Sequence, residues 1–182
     1  MNKKFLAYGL VAVLFAAAGA WYGSHTKQAP APLTTTAPPG VTGPVAAMLA
    51  QSLPNEQGVQ QALSTWQGKN LLVNFWAPWC APCVEEMPEL SELQASDAGK
   101  KFQVIGIGID SPSNIAEFAK KVKVSYPLYV AGLSGTELSR QFGNTQGGLP
   151  FTVLIGADGQ VRKTYLGRLK FEQLKADLAS LN

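Results

Sequence analysis

Two rhythms of apolar and polar residues alternate along this chain from about Lys69 onward. Leu71-Leu72-Val73-Asn74-Phe75-Trp76 is an almost unbroken apolar, β-prone run, and predicts a strand over Asn70–Trp76 that is covered on both faces. From Pro82 to Ser96, apolar residues and glutamates recur at helical spacing and predict a helix. Val104, Ile105, Ile107 and Ile109 form a second buried-strand pattern over Phe102–Ile109. A helix over Ser113–Val122 follows, with Ser111 or Ser113 as cap. Next come a short extra strand over Tyr126–Val130 and a short helix over Thr136–Phe142. Phe151–Ile155 and Gln160–Leu166 flank Ala157-Asp158-Gly159, which has hairpin-turn chemistry. Phe171–Leu181 is the last predicted helix. This order predicts one α/β domain with a central mixed β-sheet flanked by helices.

The chain ahead of Lys69 follows neither rhythm cleanly. Ala46-Ala47-Met48-Leu49-Ala50 fits a helix or the start of a strand, and Pro54-Asn55-Glu56-Gln57-Gly58 is a turn signal. A short hairpin followed by a helical turn at Leu63–Trp66 accounts for both. Residues 23–44 are rich in Pro, Thr, Ala and Gly and bury little apolar area, so they read as an extended linker. Residues 1–22 read as an address: Lys3 and Lys4 precede an uncharged apolar run of about eighteen residues, Phe5 to Tyr22. The lysines place the N-terminus inside and deliver the rest of the chain to the far side of the inner membrane. The run is expected to stay as an anchor; the alternative is cleavage near Ala18-Gly19-Ala20 to leave a soluble periplasmic protein. The domain itself then occupies 45–182.

Composition narrows the chemistry. With 182 residues, 46% hydrophobic, the chain has enough material for one domain with a real core. The net charge is +3, and no basic run is interleaved with aromatics, so nucleic acid is not expected as a partner. The single histidine, His25, lies far from both cysteines in sequence, so neither a zinc site nor any other cofactor is expected.

Those two cysteines, Cys80 and Cys83, are the informative residues. Two thiols separated by two residues can close into a disulfide and reopen. They stand where the strand Asn70–Trp76 runs into the helix Pro82–Ser96. Free N–H groups and the helix dipole at a helix N-terminus favour a thiolate. Glu86 is three residues beyond Cys83 and therefore on the same helix face.

The string Val73-Asn74-Phe75-Trp76-Ala77-Pro78-Trp79-Cys80-Ala81-Pro82-Cys83, followed by Glu86-Met87-Pro88 and later by Gly147-Gly148-Leu149-Pro150, resembles the thioredoxin superfamily. More narrowly, it resembles the membrane-anchored, extracytoplasmic TlpA/ResA type. The resemblance implies a thioredoxin-like fold with an N-terminal extension, and a protein-disulfide oxidoreductase acting as a reductase in the cell envelope. It implies Cys80 as the exposed nucleophile and Cys83 as the buried resolving thiol. Glu86 would line the active-site cavity and accept the Cys83 proton. Trp79 would pack beside the sulfurs and shield them, and Pro82 would pre-set the first helical turn. Pro150 would be cis, leaving Leu149 free to pair with a substrate strand. The implied partners are proteins bearing disulfides, such as apocytochromes, and a membrane electron donor that recharges the pair. Cytoplasmic thioredoxins carry an aspartate where this chain has Asn74 and a lysine where it has Gly106. Their proton route is therefore absent here, and Glu86 is the available substitute.

Two other chemistries use the same thiols. A Cu(I) carrier would employ Cys80 and Cys83 with Met87, but the histidine such carriers add near the later strand is lacking. A thiol peroxidase would carry a Pro-x-x-x-Thr/Ser run at its reactive cysteine, and that run is absent at Cys80. Glu85 and Glu89 are expected on solvated faces.

Overall fold

A computed structural model describes residues 42–181. The anchor or signal segment and all of the linker before Thr42 lie outside the described residues. No helix among the described residues is long and apolar enough to cross a membrane.

The first element is α1, Gly43–Leu49, with Pro44 in its first turn, where a missing N–H does no harm. It buries Val45, Met48 and Leu49, a spacing that presents one helical stripe. The choice left open for Ala46–Ala50 therefore falls to helix. β1 (Ser52–Pro54) and β2 (Gln60–Ala62) pair antiparallel as the expected hairpin. Asn55 organises its turn, its Oδ1 accepting from the N–H groups of Gln57 and Val59. A single 3-10 turn, Leu63–Trp66, follows.

The main sheet has five strands in the order β5-β4-β3-β6-β7. They are β3 (Leu71–Trp76), β4 (Gln103–Gly108), β5 (Leu128–Val130), β6 (Phe151–Ile155) and β7 (Val161–Leu166). β3, β4 and β5 run parallel; β6 is antiparallel to β3 and to β7, so the sheet is mixed, as expected. The helices are α2 (Ala81–Ala95), α3 (Pro112–Lys121), α4 (Leu133–Gln141) and α5 (Phe171–Ala179). Ser111 caps α3, its Oγ accepting from the Asn114 N–H.

α4 starts three residues before the predicted position. Gly132 and Gly135 look like breakers in sequence. Gly135 is instead a packing residue, because a Cβ there would lie 2.9 Å from the Ala131 Cβ and 3.0 Å from the Ile109 Cγ1.

Each sheet face carries its own apolar cluster. Leu72, Trp76 and Leu154 pack with Cys83, Leu90, Ile115 and Leu174, which come from α2, α3 and α5. Leu71, Val73, Phe75 and Val153 pack with Met48, Leu63 and Leu138, which come from α1, the 3-10 turn and α4. All six residues of β3 are buried, which explains its almost unbroken apolar run. Its one polar residue, Asn74, faces the α2 side, opposite Gly106 on β4 and Thr152 on β6. A Cβ at Gly106 would meet Leu128 Cδ2 at 2.7 Å and Trp76 Nε1 at 3.1 Å, so there is no room for a lysine at this point.

Candidate active site

β3 ends at Trp76, and the chain turns through Ala77-Pro78-Trp79 into α2. Cys80 is the N-cap of that helix, and Pro82 lies in its first turn. The Cys80 carbonyl accepts from the N–H groups of Cys83 (3.0 Å) and Val84 (3.1 Å), closing the first turn around the dithiol. The two cysteines are joined as a disulfide with Cα atoms 5.3 Å apart. Cys80 is 6% exposed and Cys83 is 0% exposed. Even the outer residue is largely enclosed.

Glu86 lies one turn beyond Cys83 and is completely buried. Its Oε1 accepts from Asn74 Nδ2 at 2.8 Å, and its Oε2 accepts from the Leu169 N–H at 3.0 Å. Asn74 Nδ2 also donates to Thr152 Oγ1 at 3.0 Å, so one amide ties β3 to both α2 and β6. Burial is the largest influence on Glu86 and pushes it up to about 7. The Leu169 N–H, the Asn74 amide and the Arg168 guanidinium pull the other way, while Glu89 adds to the rise. Near neutral pH the group is thus poised between acid and base. Among the described residues, Asn74 Oδ1, Trp76 Nε1 and Tyr126 Oη are buried without a hydrogen-bond partner. Trp76 and Tyr126 belong to the same cluster as the cysteines, so three unpaired polar atoms share the face that carries the dithiol.

Pro150 opens β6, and the Leu149–Pro150 bond is cis. Leu149 is half-buried and packs against both apolar clusters. The segment before it is held by Asn144, which is 3% exposed. Its Nδ2 donates to the Gly148 carbonyl at 2.9 Å, and its Oδ1 accepts from the Gly148 N–H at 3.0 Å.

Trp79 departs from the sequence reading. It is 68% exposed, so it stands out at the rim instead of shielding the sulfurs. It follows the buried end of β3 by three residues, and the turn through Pro78 carries it out of the core. Its indole lines a groove of about 670 Å³ together with Pro54, Ile109, Leu133 and Thr136. Leu133, at 89% exposed, makes the groove margin more apolar still.

Glu85 and Glu89 are solvent-accessible, as expected, but they are paired: Arg168 places Nη1 3.1 Å from Glu85 Oε2 and Nη2 3.1 Å from Glu89 Oε1. Met87 is wholly buried in the apolar cluster. Among the described residues, no three His, Cys, Asp or Glu side chains gather as a metal set.

Thr152, Asn144, Arg168 and Leu169 were not singled out from the sequence. Leu169 acts through its backbone, which leaves no trace in residue type. Arg168 is separated from its partners by 83 and 79 residues, and one sequence carries no signal of that pairing.

The Redoxin family matches residues 27–178. The chain is 29% identical over 126 residues to the thiol-disulfide oxidoreductase ResA of Geobacillus thermodenitrificans, covering 69% of this chain and 70% of that protein. The ResA of Bacillus anthracis has the same identity and coverage. Among solved structures, a thiol:disulfide interchange protein of the thioredoxin family from Chlorobium tepidum superposes with a TM-score of 0.60 at 26% identity. That match covers 72% of this chain and 92% of the other.

Proposed function

This chain belongs to the Redoxin family, and from that premise we propose that its Cys80–Cys83 pair reduces disulfides in proteins of the cell envelope. It is a thiol–disulfide oxidoreductase with a thioredoxin-like fold of the TlpA/ResA-like kind, and its substrates are disulfide-bearing proteins. The reading of direction and mechanism rests above all on one arrangement: a Cys-x-x-Cys pair opening a helix, with a buried carboxyl group one turn behind the inner cysteine.

In the reduced chain, the Cys80 thiolate attacks one sulfur of a client disulfide. A bond forms between Cys80 and the client, and the client's own S–S bond breaks, releasing one client thiolate. Cys83 then gives its proton to Glu86, and the resulting thiolate attacks the Cys80 sulfur. The second client sulfur leaves as a thiolate and takes up a proton from solvent. Two electrons have passed to the client, and the Cys80–Cys83 disulfide is closed, the state seen in this structure. A dithiol donor associated with the membrane restores the pair, and residues 1–22 hold the domain at the outer face of the inner membrane. The client segment enters along the groove beside Trp79, and the backbone of Leu149, ahead of the cis Pro150, pairs with it.

Insulin reduction by the full chain tests this. Cys80→Ser is expected to abolish activity with the fold intact, because the attacking sulfur is lost. Cys83→Ser is expected to accumulate mixed disulfides through Cys80, recoverable on a non-reducing gel. Retained activity in Cys80→Ser would overturn the mechanism. A redox equilibrium with glutathione near the strongly oxidising end, about −120 mV, would overturn the direction.

A further inference from the structure

The turn between β7 and α5 meets three parts of the site in three consecutive residues. Gly167, at φ 84, a value that favours glycine, donates its N–H to the Pro150 carbonyl at 2.8 Å. Arg168 reaches across to α2 and forks onto Glu85 and Glu89, both at 3.1 Å. Leu169 donates its N–H to Glu86 at 3.0 Å. Glu85 and Glu89 are one helical turn apart and bracket Glu86 in sequence. A guanidinium carries its donors in a rigid planar fork, so engaging both carboxylates fixes its direction as well as its place. Exposed ion pairs of this kind add little to global stability. Their geometric effect is larger, because the residue after Arg168 supplies the one backbone donor on Glu86.

We propose that Arg168 is a positioning residue: its fork onto Glu85 and Glu89 holds the β7–α5 turn against α2, keeps the Leu169 N–H on Glu86, and so sets how readily Glu86 takes the Cys83 proton. The proposal rests on the reading of Glu86 as proton acceptor. The groups that face Glu86 are few. α2 contributes Glu89, β3 contributes Asn74, and the turn contributes Arg168 and the Leu169 N–H. Thr152 of β6 acts through Asn74. Tyr126, before β5, is a neutral phenol that feels the Glu86 charge. Among the described residues Arg168 is therefore the one cation acting on Glu86, and it acts both by charge and by placing a donor.

The test uses the full oxidised chain, with Leu169 amide exchange and the Glu86 side-chain carboxyl titration followed by NMR. The pH profile of insulin reduction is measured alongside. In Arg168→Met, the Leu169 amide is expected to exchange about tenfold faster. The Glu86 midpoint should rise by about half a pH unit or more, since a cation and a hydrogen bond to the charged form are both weakened. The acid limb of the rate profile should move in the same direction. Glu85→Gln/Glu89→Gln leaves Arg168 in place but removes its anchors, and should loosen the Leu169 amide in the same way. Arg168→Lys keeps the charge without the fork and should resemble Arg168→Met in amide exchange. Unchanged Leu169 exchange in all three variants overturns the proposal, as does faster exchange with the Glu86 midpoint and rate profile unmoved. Wild-type activity of Glu86→Gln at every pH would remove Glu86 from the reaction. That result would leave the link between Leu169 exchange and the Glu86 titration measurable in its own right.

Discussion

A carboxyl group enclosed among apolar side chains, yet held by two N–H donors, is pulled in opposite directions, and at Glu86 enclosure prevails. The consequence for stability has a definite sign. Below pH 4.5 the group is protonated in folded and unfolded chains alike; between 4.5 and about 7 only the folded chain keeps the proton. Stability therefore falls as pH rises through this window, and above it the loss amounts to about 3 kcal/mol. Glu86→Gln has no such proton to lose. Urea unfolding of the two oxidised proteins at pH 4.5 and pH 8 should show the wild type losing about 3 kcal/mol relative to the variant. Equal pH slopes would mean that Glu86 is hydrated. Asp177, held low by Lys163 and Tyr165, works with the opposite sign and in a more acid range, where its protonation weakens the fold. The rate of exchange should depend on Glu86 in the inverse sense to stability, because only the carboxylate can accept the Cys83 proton.

At the scale of elements, the site is assembled by side chains that fasten one segment to another. Asn74 ties β3 to α2 and β6, Arg168 ties the β7–α5 turn to α2, and Asn144 fastens the segment leading to Pro150. Asn144→Ala removes two hydrogen bonds to the Gly148 backbone in a largely enclosed place and is expected to cost about 1–3 kcal/mol, read from the urea midpoint. A loss below a few tenths would show that the Gly147–Pro150 segment holds its own shape. The strands, the dithiol helix and the last hairpin were legible in the sequence because their apolar spacing, their Asp-Gly turn and the cysteine pair are local signals. The position of Glu86 was legible for the same reason, being three residues from Cys83. The start of α4 was not, since Gly135 reads as a breaker until the close approach of Ala131 and Ile109 is known. The outward turn of Trp79 was also hidden, because an aromatic residue beside cysteines carries no mark of which way it points. Arg168 and Leu169 escaped because their contacts are tertiary.

For the molecule as a whole, α1 is part of the domain and not a leader to it. Its Val45, Met48 and Leu49 are almost entirely buried against the sheet face opposite the dithiol helix. Burying three such side chains contributes about 5 kcal/mol or more, comparable with the whole stability of a small domain. A chain beginning at Thr42 should therefore fold and reduce insulin, whereas one beginning at Gln51 should lose cooperative thermal unfolding by circular dichroism. A well-folded shorter chain would mean that the sheet face closes without the helix. Trp66 is partly covered and Trp76 fully so, but Trp79 stands in water at the rim of the groove. Its emission is expected at the long wavelength of a water-exposed indole, and a polypeptide settling into the groove should dry it and shift the light toward the blue. Such a shift on adding a client would let the unlabelled protein time the arrival and departure of its partners; an unmoved maximum would mean that clients dock away from this indole.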